Sequence, residues 1–140
     1  MKINIASNEV IHFIGIGGIG MSGLAQIMKN MRFRIQGSDL SRNKNTERLI
    51  KSGLKVHIGH HEKNLKKATM IVISSAIKKN NIELKTARSK NLPVYKRGDM
   101  LANIVALKKK YCYCWFTRKD HHNIFSCKYF VRGWIRSHCN

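Results

Sequence analysis

Two hydrophobic periods alternate along most of this chain. Ile11–Ile16 is an almost continuous apolar run of strand length, whereas Ile19–Lys29 places Met21, Leu24, Ala25 and Met28 at helical spacing. Arg32–Gln36 predicts a second strand, closed by Gly37-Ser38-Asp39. Ser41 or Asn43 then starts a helix that carries Leu49 and Ile50 and stops at Gly53. A short strand over Lys55–Ile58 leads to Gly59-His60, and Thr69–Ser74 is a further apolar strand. A helix is expected over Asn81–Ser89, a last short strand at Pro93-Val94-Tyr95, and an apolar helix face over Met100–Leu107. Apolar strands separated by helices predict an α/β fold, a parallel sheet with helices on both faces.

The first strand opens into a loop containing Gly15, Gly17, Gly18 and Gly20, and the loop opens into a helix. Residues without side chains let a phosphate approach the free N–H groups of a helix start. The helix dipole adds about 0.3–1 kcal/mol of attraction for an anion. Gly15-x-Gly17-x-x-Gly20 between strand and helix is also the context of the dinucleotide fingerprint, so the sheet is expected to be Rossmann-like. Asp39 stands nineteen residues after Gly20, where a carboxylate takes ribose hydroxyls or else caps the next helix. Ser38-Asp39, Gly59-His60 and Ser74-Ser75-Ala76-Ile77 each lie at a strand's carboxyl end, the edge where open parallel sheets hold ligands. Each has a plain structural role open to it, His60 as a surface histidine and Ser74 and Ser75 as partners of nearby backbone groups. A phosphate-bearing ligand is implied; on these residues alone a nicotinamide or flavin dinucleotide remains an alternative.

At 140 residues the chain has room for one domain with a core. Val10–Ala25 is apolar, but its five glycines suit a loop better than a bilayer helix, and no small-residue cleavage site follows. A cytoplasmic protein without a membrane partner is expected. The formal charge of +20 raises a second alternative, a basic nucleic-acid-binding protein. The lysines are scattered, however, with only short clusters at Lys66–Lys67, Lys78–Lys79 and Lys108–Lys110. The chain is also rich in Asn and Ile, whose codons share the A and T of lysine's, so base composition accounts for part of the charge. No specific nucleic acid is expected.

The runs HFIGIGGIGMSGLA, GSDLS, TERLIKSGLKVHIGHH, SSAIKKNNIEL and VYKRGDMLA follow one another at natural spacings over roughly residues 10–110. Together they resemble the N-terminal domain of the Mur ligase family, in its branch that joins L-alanine to UDP-N-acetylmuramate. A related branch that attaches tripeptides is expected to differ in its glycine loop. The resemblance implies a role in peptidoglycan synthesis, in which ATP activates the muramyl carboxylate as an acyl phosphate and the amine of L-alanine attacks it. In that family the N-terminal domain holds the UDP-sugar, a central domain holds ATP and Mg2+, and a C-terminal domain completes the alanine site. It implies that Gly15, Gly17, Gly18, Gly20, Met21 and Ser22 line the diphosphate loop. Ser38, Asp39, Leu40, His60, Ser74, Ser75, Ala76 and Ile77 are implied near the nucleotide, and Arg97 near the anionic sugar moiety.

Composition breaks near residue 110. The first 110 residues hold no Cys or Trp and one Tyr, Tyr95, whereas Cys112, Cys114, Cys127, Cys139, Trp115 and Trp134 all come later. Neither the cysteines nor His121, His122 and His138 fall at a common zinc spacing, and a disulfide framework does not suit a cytosolic chain. Where the family has a strand and an ATP loop resembling GTHGKTTT, this chain reads KYCYCWFTRKDHHNIFSCKYF. Tyr111 to Lys128 can be encoded so that a one-base shift reads IVIAGSHGKTTTTSSVAN, an apolar strand plus a phosphate loop. Most codons there are free choices, but the glycine read across Trp115 and Phe116 is forced. The expectation is a ligase domain over residues 1–110 and an irregular, out-of-frame tail over 111–140. Such a chain has no catalytic residue, metal site or cofactor of its own and is inactive alone, because the ATP loop that would stabilise the transferring phosphate is missing.

Overall fold

The computed structural model describes residue 5 and residues 8–116, with side chains through Leu107. Among the described residues the sheet has five parallel strands: β1 (Val10–Ile14), β2 (Arg34–Asp39), β3 (Lys55–Ile58), β4 (Met70–Ile73) and β5 (Val94–Lys96). They lie in the order β3-β2-β1-β4-β5, so the direction of winding reverses between β1 and β4. The helices are α1 (Ile19–Asn30), α2 (Lys44–Lys51), α3 (Ile82–Ser89) and α4 (Arg97–Phe116), with a 3-10 turn at Glu62–Leu65. The α/β, Rossmann-like expectation holds.

Side-chain alternation in the strands builds two cores. Ile11 and Phe13 of β1 and Met70 and Val72 of β4 pack with Met21, Leu24, Ala25 and Met28 of α1, Leu49 of α2, and Met100 and Ile104 of α4. The opposite faces, with Ile14 and Ile71, meet Leu65, Leu84 and Ala87 from the 3-10 turn and α3. Each fully buried Leu, Ile or Phe contributes roughly 1.5–3 kcal/mol of transfer free energy. The face carrying Ile14 also carries His12, a polar residue at zero exposure in the middle of the sheet.

Three local expectations change. Gly37, Ser38 and Asp39 lie inside β2, because Ser38 pairs with His57 and Asp39 with Ile58. Asn43, not Ser41, starts α2: its side chain accepts from Thr46 N at 2.9 Å while Thr46 Oγ1 accepts from Asn43 N at 2.8 Å. Ile50 faces outward at 38% exposure, leaving Leu49 as the apolar anchor of α2. Beyond residue 110, α4 continues as backbone helix to Phe116, and the rest of the expected irregular tail lies outside the described residues.

Candidate functional site at the carboxyl edge of the sheet

The crevice beyond the carboxyl ends of β1 and β4 is the topological switch point, where open α/β sheets hold ligands. The β1–α1 loop fills one side of it. Gly15 N and Ile16 N both donate to Ser38 O, at 2.8 and 3.0 Å, and Gly18 N donates to Gly15 O at 3.3 Å. Gly18 is the N-cap of α1 and offers no side-chain cap, and the first turn holds no acidic residue. The N–H groups of Ile19, Gly20 and Met21 are first-turn donors that α1 itself has no carbonyls to satisfy. They form an anion-seeking helix start.

A polar clamp holds this loop from the side of β2 and α2. Asp39 Oδ2 accepts from Gly17 N at 2.7 Å, and its Oδ1 accepts from Ser41 N at 3.3 Å. Gly17 O accepts from Asn45 Nδ2 at 2.8 Å and from Asn43 Nδ2 at 3.4 Å. Asp39 therefore neither caps α2 nor stands free for a ribose; it is turned into the glycine loop. A Cβ at residue 17 would lie 2.6 Å from Asn43 Nδ2 and 2.8 Å from Asp39 Oδ2, so only glycine fits inside the clamp.

Arg97, the first residue of α4, brings a cation to the same loop. Its Nη1 lies 1.7 Å from where a Cβ on Gly20 would stand, so the guanidinium covers the first turn of α1 at its open N–H groups. Alanine at Gly20 would favour the helix by about 1 kcal/mol but evict the guanidinium. Gly20→Ala is thus expected to leave thermal stability equal or higher while weakening binding of a diphosphate ligand roughly tenfold or more, the loss of a charge-assisted hydrogen bond. Calorimetric titration of the variant beside a melting curve checks both halves.

The other expected site residues divide. Leu40, at 73% exposure, and Ile19, at 89%, form an apolar rim beside the loop. Ser74 Oγ accepts from Ala76 N at 3.3 Å, closing the turn after β4, and Ser75 and Ala76 are exposed. Ile77 packs against the Ile14 core, its Cδ1 3.2 Å from the Cβ position of Gly15. Met21 is buried in the core, so only its backbone faces the site, and Ser22 Oγ donates to Ile19 O at 3.0 Å. Ser38 has zero exposure, so its hydroxyl is not open to a ligand. His60 is not a surface histidine either: its side chain is 7% exposed.

Ser38 and His60 belong to a buried polar cluster that the sequence pattern does not reveal. Its centre is Glu83, in the first turn of α3, at zero exposure. Glu83 Oε2 accepts from Ser38 Oγ at 2.5 Å and stands 3.3 Å from His12 Nε2 and 3.2 Å from His60 Nδ1. Oε1 accepts from Asn64 Nδ2 at 2.6 Å and His61 N at 3.1 Å. Gln36 Nε2 donates to Asn64 O at 2.9 Å and meets His12 Nδ1 at 3.3 Å, which leaves Nε2 of His12 to donate to Glu83. Burial alone would push the Glu83 carboxyl up; the hydrogen bonds from His12, Ser38 and Asn64 outweigh it and hold the group down at about 2. One signal existed in the sequence: a histidine inside an otherwise apolar strand needs a buried partner.

Residues 10–109 match the model of the Mur ligase family, catalytic domain. The UDP-N-acetylmuramate–L-alanine ligase of Pelagibacter ubique is 64% identical over 109 residues, 78% of this chain and 24% of that one. The ligase of the same name from Rickettsia bellii is 49% identical over 100 residues, 71% of this chain and 21% of that one. Among solved structures, UDP-N-acetylmuramate-alanine ligase from Thermotoga maritima superposes with a TM-score of 0.69 at 28% identity, covering 71% of this chain and 23% of that one. The Neisseria meningitides ligase acting on UDP-N-acetylmuramate and a tripeptide gives 0.60 at 30% identity, covering 64% and 28%. The chain spans about a quarter of the length of the curated relatives it matches. With its glycine loop, clamp and switch-point crevice, the chain belongs to the Mur ligase family.

Proposed function

We propose that the described domain binds UDP-N-acetylmuramate for an ATP-dependent, cytoplasmic ligase that joins L-alanine to it in peptidoglycan synthesis. The observation that carries this reading is the guanidinium of Arg97 laid over Gly20, beside first-turn N–H groups that no side chain caps. Two phosphates meet there with backbone donors, a helix start and a fixed cation. The names of the relatives support the UDP-sugar as the ligand class. The dinucleotide alternative is disfavoured because Asp39, the residue that would take ribose hydroxyls, holds Gly17 N instead.

ATP and Mg2+ do not fit the described residues. The glycine loop lacks the lysine and serine or threonine of an ATP phosphate loop, and no group of three or more His, Cys, Asp or Glu among the described residues is disposed to hold a metal ion. No chemical step is assigned to this domain. No helix among the described residues is long and apolar enough to cross a membrane.

Titration of the chain with UDP-N-acetylmuramate, NADH and duplex DNA tests the reading. A saturable response to the UDP-sugar, weakened in Arg97→Ala, is the expected result. Tight NADH binding with silence toward the UDP-sugar would sink it, and a steep salt-dependent affinity for DNA would favour the nucleic-acid alternative.

The same proposal divides the chain into a UDP-sugar domain over residues 1–110 and an out-of-frame tail over 111–140. It is supported by the family match ending at residue 109, where the composition changes. Sequencing the DNA around codon 110 is expected to show an open shifted frame that encodes a strand and an ATP loop. A stop codon at once in that frame would refute the frame change.

A further inference from the structure

We propose that Glu83 is a positioning residue of this site: with Ser38 it locks His60 as the ring that carries its proton on Nδ1, so that Nε2 offers a lone pair to a hydroxyl or N–H of the bound nucleotide and not a proton to its phosphates. The ligand half of this proposal rests on the UDP-sugar reading above; the tautomer half does not.

The argument is one of donors and acceptors. Glu83 is ionised and can only accept, and the proton of Ser38 Oγ is committed to Glu83 Oε2 at 2.5 Å. His60 Nδ1 stands 3.2 Å from that carboxylate oxygen and 3.0 Å from Ser38 Oγ, so it faces acceptors only and must carry a hydrogen. In the neutral ring Nε2 is then a bare acceptor. It is buried and has no hydrogen-bond partner among the described residues, a state that costs free energy until a donor arrives. His12 meets the same carboxylate with a different outcome: its second nitrogen is taken by Gln36, so it is closed to a ligand.

The placement of His60 ties that lone pair to the site. It follows Gly59, whose N–H donates to Asp39 O at 2.7 Å, and Asp39 is the residue whose carboxylate holds the glycine loop. The open nitrogen and the phosphate loop are thus set by the same strand end. Phosphate oxygens are acceptors and have nothing to give a bare Nε2. Its partner is a donor elsewhere on the nucleotide.

Nitrogen-15 spectroscopy of the imidazole rings in the full chain, near neutral pH, tests this with uridine, inorganic pyrophosphate and UDP-N-acetylmuramate as probes. In the free wild type, His60 is expected as the Nδ1–H tautomer. Uridine and the UDP-sugar should shift its Nε2 signal, and pyrophosphate should not. In Glu83→Gln, the amide oxygen is drawn to the Oε1 position, where Asn64 and His61 N require an acceptor. Its NH2 then faces His60 Nδ1 and should switch the ring to the Nε2–H form, with loss of the uridine response. A wild-type ring protonated on Nε2, a tautomer that survives Glu83→Gln, or an Nε2 that answers pyrophosphate alone would each overturn the proposal. Should Glu83→Gln fail to fold, Ser38→Ala decides the same point. It leaves the carboxylate as the acceptor for Nδ1, so the tautomer should persist, and its loss would refute the role given to Glu83. If calorimetry detects no UDP-sugar while His60 keeps its Nδ1–H form, the substrate reading fails and takes the ligand half with it. Binding with an Nε2–H ring overturns the role of Glu83 and leaves the substrate reading standing.

Discussion

Replacing Glu83 with alanine is expected to lower the unfolding free energy by about 3–5 kcal/mol, because it strands several buried donors at once. Ser38 Oγ, His12 Nε2, Asn64 Nδ2 and His61 N all lose their acceptor, and they come from β1, β2 and the segment after β3. Glu83→Gln keeps one acceptor and should cost less. Urea titration of both variants beside the wild type measures the difference; a loss under ~1 kcal/mol in the alanine variant would contradict a central role for the cluster.

The pH dependence follows from the same carboxylate. Its value falls from 4.5 to about 2 on folding, so its contribution is fully present above the unfolded value and is lost as pH drops through the folded one. A shift of this size corresponds to on the order of 3 kcal/mol. The stability gap between wild type and Glu83→Gln should therefore be full above pH 4.5 and close as the pH falls to about 2. Denaturant midpoints measured across that window read it directly, and a gap that is constant with pH would show that ionisation is not what the cluster uses.

The second large effect is expected at Gly17. A methyl there collides with Asn43 Nδ2, Asp39 Oδ2 and Thr46 Cγ2, all within 2.8 Å of the Cβ position. Relief would break the bond from Gly17 N to Asp39 and disturb the Asn43–Thr46 capping box of α2. The loss of a cap and of a charge-assisted hydrogen bond sums to roughly 2–4 kcal/mol. Unlike Gly20→Ala, which should spare stability, Gly17→Ala should lose stability and ligand binding together. Melting curves of the two variants, run side by side, separate the clamp from the cation.

The alternation of elements was legible because each depends on local periodicity. Met21, Leu24, Ala25 and Met28 are all buried on α1, as their spacing predicts. Asn81 caps α3 through Glu83 N and Leu84 N, a signal carried by one residue. The 3-10 turn at Glu62–Leu65 was not legible, since Leu65 is its single buried residue and a lone apolar position has no period. Glu83 was hidden for a different reason. An acid in a first turn after an asparagine cap reads as a surface charge that favours the helix dipole. Its burial depends on β1, β2 and β3 being brought beside α3, which is a property of strand order and not of local sequence. Arg97 was expected near the anionic part of the ligand from resemblance alone; its lodging on Gly20 needs β5 and α1 in place.

β5 ends at Lys96 and α4 begins at Arg97, with no residue between them. Lys96 is in register with Ile73 of β4, so the Cα of Arg97 is anchored by the sheet itself. A cation on a free loop would surrender conformational freedom each time a ligand arrived, at about 1–2 kcal/mol per backbone residue ordered. Here that entropy is given up once, when the sheet forms. The incoming anion meets a charge already waiting in position, and its binding free energy is spent on contact instead of on ordering the protein.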